Sequence, residues 1–249
     1  MDTQQELFQY LLRQGDTNLI LGHRLSEMCS RAPMLEEDIA LTNIALDHIG
    51  QAEALLHYAG EVEAKGRTED DLSYLRTEKE FCNLRLVEHP NTDFAYLVAR
   101  QFLIDVYQCL LYQKLQDSNN EIMAGMAKRF LKETTYHLRH SSAWVERLGQ
   151  GTDESHLRMD QAFRALWHYT SELFMPVPNE SILYEVGIAP NPQDIEMEWT
   201  IQVSRVLGKA GLHIPTHTVM GDLAPHTEHL SHLLADMQYL QRTYPSAKW

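Results

Sequence analysis

The chain has 249 residues, 44% hydrophobic and 22% charged, with a formal net charge of −14. That length suits one large domain or two small ones and buries enough surface to need no disulfide support. The acid excess argues against nucleic acid as the main ligand, since phosphate binding needs clustered Lys and Arg, and against an anionic membrane surface. It leaves room for a local basic site or for docking on a basic partner. Cys29, Cys82 and Cys109 are scattered, odd in number and form no CxxC pair, so free thiols in a reducing cytoplasm are expected. The opening MDTQQELFQYLLRQGD lacks the basic region and apolar core of a secretory signal. No apolar run approaches the ~20 residues of a membrane span.

Helical periodicity predicts most of the chain. Leu7, Leu11, Leu12, Leu19, Leu21 and Leu25 recur at helical spacings from about Gln4 to Cys29, with Gly15 as an interruption and Arg31-Ala32-Pro33 as the end. A second helix is expected from about Leu35 to Gly60, opening on Glu36, Glu37 and Asp38, acids that suit a helix N-terminus. A weaker helix lies in EDDLSYLRTEKEFCN, and His89-Pro90-Asn91 is a break. The stretch from about Thr92 to Leu115 is apolar nearly all round, as a helix buried inside a bundle should be. Asp117-Ser118-Asn119-Asn120 is a turn. Further helices are expected at about Glu121–Leu148, Ser155–Phe174, Asp194–Lys209 and Pro225–Tyr244, with a proline-rich loop at MPVPNESILYEVGIAPNPQD. The expectation is an all-α four-helix bundle with additional C-terminal helices, residues 1–249 forming a single domain.

Four acids sit where acids are expensive or informative. Asp105 lies in FLIDVY and Asp47 in NIALDHIG, and a carboxylate buried in such surroundings must be paired, coordinated or protonated. Asp105 precedes and Glu133 follows a turn near Asn119 by equal distances, about 21 Å at ~1.5 Å per residue. Asp16 and Asp47 flank the turn near Pro33 less evenly. Ferritin-like di-metal sites take one Glu from each of two helices and a Glu-x-x-His from each of the other two. The expected order here is Asp16, Asp47-x-x-Gly50, Asp105 and Glu133-x-x-Tyr136, which leaves Gly50 and Tyr136 where histidines should be. His48 and His137 lie one residue away, about 100° round the helix, and would need a local change of winding to point inward. The reading is a vestigial polar core with no metal and no catalytic residue; Mg²⁺ or Ca²⁺ on the carboxylates, or a di-iron pair, stay open as alternatives.

Several stretches together carry a resemblance. LRQGDTNLILGHRLSE, APMLEEDIALTNIALDHIGQA, GRTEDDLSYLRTEKEFCNLRLVEHPNTDFA, KETTYHLRHSSAWVERLGQGTDES, LWHYTSELF and HTEHLSHLLADMQYLQR resemble the PaaC family nearly end to end. These are structural subunits of bacterial phenylacetyl-CoA ring epoxidases. The resemblance implies a ferritin-like fold and no cofactor in this chain. It implies a homologous PaaA-like catalytic oxygenase subunit that carries the di-iron centre and binds the CoA thioester. A further small subunit and a flavin and iron–sulfur reductase complete such a system, which inserts one oxygen atom of O₂ into the aromatic ring. Self-association stays possible. One departure is at Gly221-Asp222-Leu223-Ala224-Pro225, where the family has basic residues. An autonomous di-iron oxidase using Asp16, Asp47, Asp105 and Glu133 with His48 or His137 is the alternative from another class. A module that binds an acyl-CoA without redox chemistry is a third.

The remaining features are weighed as structure first. His226, His229 and His232 could ligate zinc, but three-residue steps drift round a helix and no cysteine is near. A C-terminal helix docking on a partner fits better, with Trp249, His226 and Glu228 as interface candidates. Trp144, Trp167 and Trp199 read as core or interface aromatics. The His23/Glu27 and Glu53/His57 pairs read as ordinary one-turn contacts.

Overall fold

The computed structural model describes residues 3–175, 177, 180–216, 226–245 and 247. Among these residues the regular structure is helical, with no strand. The chain divides into two compact units, Met1–Pro90 with Asp222–Trp249, and Asn91–Gly221.

The first unit is built on an antiparallel hairpin of α1 (Thr3–Ser26) and α2 (Leu35–Glu63). Gly15 does not interrupt α1. The helix runs through it, and a Cβ there would lie 2.7 Å from the Leu56 side chain of α2. Gly22, two turns on, serves the same purpose, with Ile49 and the Ala45 carbonyl close by. The two glycines let the helix axes approach, which offsets their weak helix propensity. Asn18 bonds His48 across the pair, and Gln4 bonds the Val62 carbonyl, which fixes the antiparallel register with its turn near Pro33 as expected. α2 closes on Ala64, which is in the left-handed region at φ 57° and donates its N–H to the Gly60 carbonyl. α3 (Glu69–Tyr74) starts in a capping box between Thr68 and Asp71. With the intervening helices in the second unit, the predicted C-terminal helix is two short ones, α9 (Glu228–Met237), capped by Thr227, and α10 (Tyr239–Thr243). Gln238 ties them to the body of the unit through the Ser73 and Arg76 carbonyls.

The second unit is built on α4 (Phe94–Leu115) and α5 (Glu121–Gly149). Asp93 caps α4 and Asn120 caps α5 with their side-chain oxygens. Around them stand α6 (Asp153–Trp167), α7 (Ser181–Glu185) and α8 (Gln193–Lys209). The helix predicted from about Ser155 to Phe174 is α6 followed by a 3-10 turn at Thr170–Phe174. α4 is long and apolar enough to cross a membrane by length and composition, a property the sequence reading missed; 89% of its apolar window is buried within the protein. Its buried Arg100, Gln101, Asp105 and Gln108 mark it as a core helix. Trp199 donates its indole N–H to the Leu103 carbonyl at 3.1 Å and packs on Trp167 and Phe174, while Trp144 packs edge-on to Phe94. Trp167 and Trp199 are therefore internal, while Trp144 is half-buried.

Candidate functional site

The inward faces of α2 and α5 decide which residues could have served a metal. On α2 the buried positions are Glu37 in the first turn, then Leu41, Ile44, Ala45, His48, Gln51, Ala52, Leu55, Leu56, Ala59 and Gly60. Asp47 and Gly50 fall beside this face and are only half-buried. On α5 the buried positions include Phe130, Thr134, His137, Ser141 and Val145. Glu133 is half-buried beside Arg129, and Tyr136 is 53% exposed. The expected register is therefore off by one residue in both helices. No change of winding is involved, because both helices are regular α-helix throughout; the inward arc is simply rotated. His48 and His137 are fully buried. With Glu-x-x-His as the template, the histidine positions are filled, and the glutamate positions hold Ala45 and Thr134.

The level of the acids also differs from expectation. Asp105 pairs across the hairpin with Ser141, Cys109 with Thr135 and Tyr112 with Phe130. These pairs centre on residues 121 to 123, inside the first turn of α5, and not on Asn119. Glu133 is thus more than one turn away from the level of Asp105.

Asp105 is fully buried and accepts from Gln101 Nε2 at 2.7 Å and from Ser141 Oγ at 2.6 Å. Burial raises its pKa to about 6, against the opposing pull of His137 and of these two hydrogen bonds. Asp16 is equally buried, but is already committed. Arg76 grips both its carboxylate oxygens, and the Cys82 N–H donates to Oδ2 at 2.9 Å. Burial pushes the Asp16 carboxyl up while the Arg76 charge, its hydrogen bonds and the Cys82 N–H pull it back. Arg76 in turn stacks over Phe81, 4.4 Å from the ring centre, and donates to the Leu72 and Glu80 carbonyls. All this is the bonding of a structural ion pair.

A di-iron pair of the ferritin-like kind needs four carboxylates, two of them in the Glu-x-x-His motifs. The α1–α2 hairpin offers an imidazole at His48, whose Nδ1 lies 2.8 Å from the Asn18 amide oxygen, and an Asp16 held by arginine. The α4–α5 hairpin offers Asp105 and His137. Thr134 Oγ1, buried at the motif's carboxylate position, has no hydrogen-bond partner among the described residues. An amide, a methyl and a hydroxyl cannot replace charged bridging oxygens. Neither hairpin by itself holds the carboxylate–histidine pair (Glu-x-x-His) that a ferritin-like di-iron centre takes from it.

The C-terminal candidates have separate fates. His226 is held inside the first unit, with Nδ1 2.7 Å from Glu88 Oε1 and Nε2 2.9 Å from the Phe81 carbonyl. Its side chain is not available as an interface contact. Burial alone would lower its pKa, but the Glu88 hydrogen bond and charge, with the Phe81 carbonyl, raise it. Glu88, fully buried, also accepts from Asn83 and from the Thr227 N–H. Glu228 is exposed. Trp249 and the departure at Gly221–Pro225 lie outside the described residues. His229 packs edge-on to His89, and the exposed His57 bonds Glu69.

Sequence reasoning named His48 and His137 but faced them away from the interior, and it missed Ala45, Thr134, Arg76 and Glu88. A signal existed for the first four. His48 is four residues from Ile44 and Ala52, and His137 is seven from Phe130, so helical periodicity anchored on the aliphatic residues puts both histidines inward. No such signal marks Arg76 or Glu88, because both lie in irregular structure.

The whole chain, residues 1–249, matches the family described as phenylacetic acid catabolic protein. It is 43% identical over 247 residues to the C subunit of the 1,2-phenylacetyl-CoA epoxidase of Escherichia coli (strain K12), covering 98% of this chain and 99% of that protein.

Proposed function

Since the chain belongs to the phenylacetic acid catabolic protein family, we propose that it is the structural subunit of a phenylacetyl-CoA epoxidase acting in phenylacetate catabolism. It carries no redox metal of its own. It supports a homologous oxygenase subunit that holds the di-iron centre and performs the ring epoxidation, alongside a small subunit and a reductase. The observation that carries this reading is the pair Ala45 and Thr134, at the motif carboxylate positions one turn before two buried histidines. Likeness over nearly full length to one subunit of a bacterial epoxidase supports the assembly and the substrate class.

The chain's own contribution is rigidity. Each hairpin is closed by buried polar bonds: Asn18 with His48 and Asp16 with Arg76 in one unit, Asp105 with Ser141 in the other. Such satisfied buried networks specify one packing and resist alternatives. The test is reconstitution. The chain co-expressed with the other epoxidase subunits should form a complex that oxidises phenylacetyl-CoA, and omitting it should abolish turnover. The purified chain alone should consume no O₂ with that substrate and reductase. Turnover by the lone chain would refute the reading.

A further inference from the structure

The outer face of α2 carries a feature that its own unit does not use. Leu35, Ile39 and Leu46 are 70%, 54% and 60% exposed, and Met34, just before the helix, is 48% exposed. At ~100° per residue the three helical positions fall within about 40° of one another, along about 16 Å of helix. An isolated exposed leucine needs no explanation, but a straight aliphatic ridge on one helix marks an interaction site. The ridge is edged by acid: Glu36 and Asp47 on one side, Asp38 on the other, and Glu53 at its far end. Across its whole length α2 holds seven acids and no Lys or Arg.

We propose that this ridge is the docking face for a helix of the homologous oxygenase subunit, one that presents an apolar stripe flanked by Lys and Arg. The proposal rests on the subunit reading above. Charge selects the occupant. A second copy of this chain, in either direction, would lay the α2 acids against themselves, and like charges juxtaposed across an interface oppose association. A basic-rimmed helix turns the same acids into guides for encounter, while the three aliphatics supply the desolvated centre.

The experiment uses the co-expressed epoxidase complex. Leu35→Glu with Ile39→Glu should weaken assembly by about a hundredfold or more, as expected when central apolar contacts are replaced by charge. The control pair Met197→Glu with Ile201→Glu, on the exposed side of α8, should assemble as the unaltered chain does. Glu36→Lys with Asp47→Lys should slow association and flatten its salt dependence. Hydroxyl-radical labelling of the unaltered complex gives a readout independent of variant folding: Leu35, Ile39 and Leu46 should lose reactivity on assembly. A complex that forms normally with the double glutamate variant, or with these three residues still reactive, overturns the docking face and leaves the subunit reading standing. If the unaltered chain fails to assemble, the subunit reading fails and the proposal falls with it.

Discussion

Replacing Asp105 by Asn tests the electrostatics of the α4–α5 hairpin. The carboxyl is fully buried and its pKa stands at about 6, against 3.8 for the ordinary group. At about 1.36 kcal/mol per pKa unit, that gap corresponds to about 3 kcal/mol. The sign follows from proton linkage. Below pH 3.8 the carboxyl is protonated in both the folded and unfolded chain, and burial carries no charge penalty. Between 3.8 and about 6 the folded form keeps its proton after the unfolded form has lost it, so stability falls as pH rises. Above 6 the full penalty persists. Asn keeps the shape and an acceptor oxygen for Ser141 or Gln101, but cannot ionise. Urea unfolding of both proteins should therefore give a stability difference near zero at the acid end. It should grow in favour of Asp105→Asn across that window and level off above about pH 6, at up to about 3 kcal/mol. A difference that is flat with pH, or that favours the native Asp at neutral pH, would refute the assignment of a strained buried carboxyl.

Other expectations follow from the same geometry. Arg76→Ala should cost about 3–5 kcal/mol, because it strands a buried Asp16 carboxylate, whereas Arg76→Met with Asp16→Asn should recover much of that in thermal melts. The His226 ring has acceptors at both nitrogens, so its protonated form alone satisfies both. With its folded pKa raised above 6.5, the stability it contributes is present below pH 6.5 and lost as pH rises through the folded value. Hydrogen exchange of α9 amides, corrected for intrinsic rates, should show protection falling on that rise in the native chain and not in His226→Gln. At Gly60 a Cβ would run into the Arg67 carbonyl oxygen, so Gly60→Ala should destabilise by about 1–3 kcal/mol despite better helix propensity. Stabilisation in denaturant melts would contradict that contact.

The helices were legible because their apolar residues recur at 3.6-residue spacing and because Pro90, Asn120 and Pro33 mark their ends. The hairpin partners were legible from the turns. Depth and facing were not. Counting residues outward from Asn119 assumed a symmetric turn, but the structure centres the pairs inside α5. Choosing Asp47 and Glu133 as inward residues followed the acids and ignored the phase set by Ile44, Ala52 and Phe130. A rotation of about 100° then exchanged absent histidines for absent carboxylates. Arg76 and Glu88 were invisible for a different reason. Their partners are 60 and 138 residues away along the chain, and irregular segments carry no periodicity that would reveal such pairs. Gly15 reads as a helix breaker only when the helix is taken alone; with Leu56 against it, the same residue is a packing contact.

The central claim is that Ala45 and Thr134 leave this chain without the carboxylates a di-iron pair needs. Metal analysis of the chain purified alone from iron-replete cells tests it directly. Iron well below stoichiometric, with no oxo-bridged absorption, is the expected result. Two irons per chain, retained through chelator dialysis, would contradict it and make the chain a catalyst in its own right.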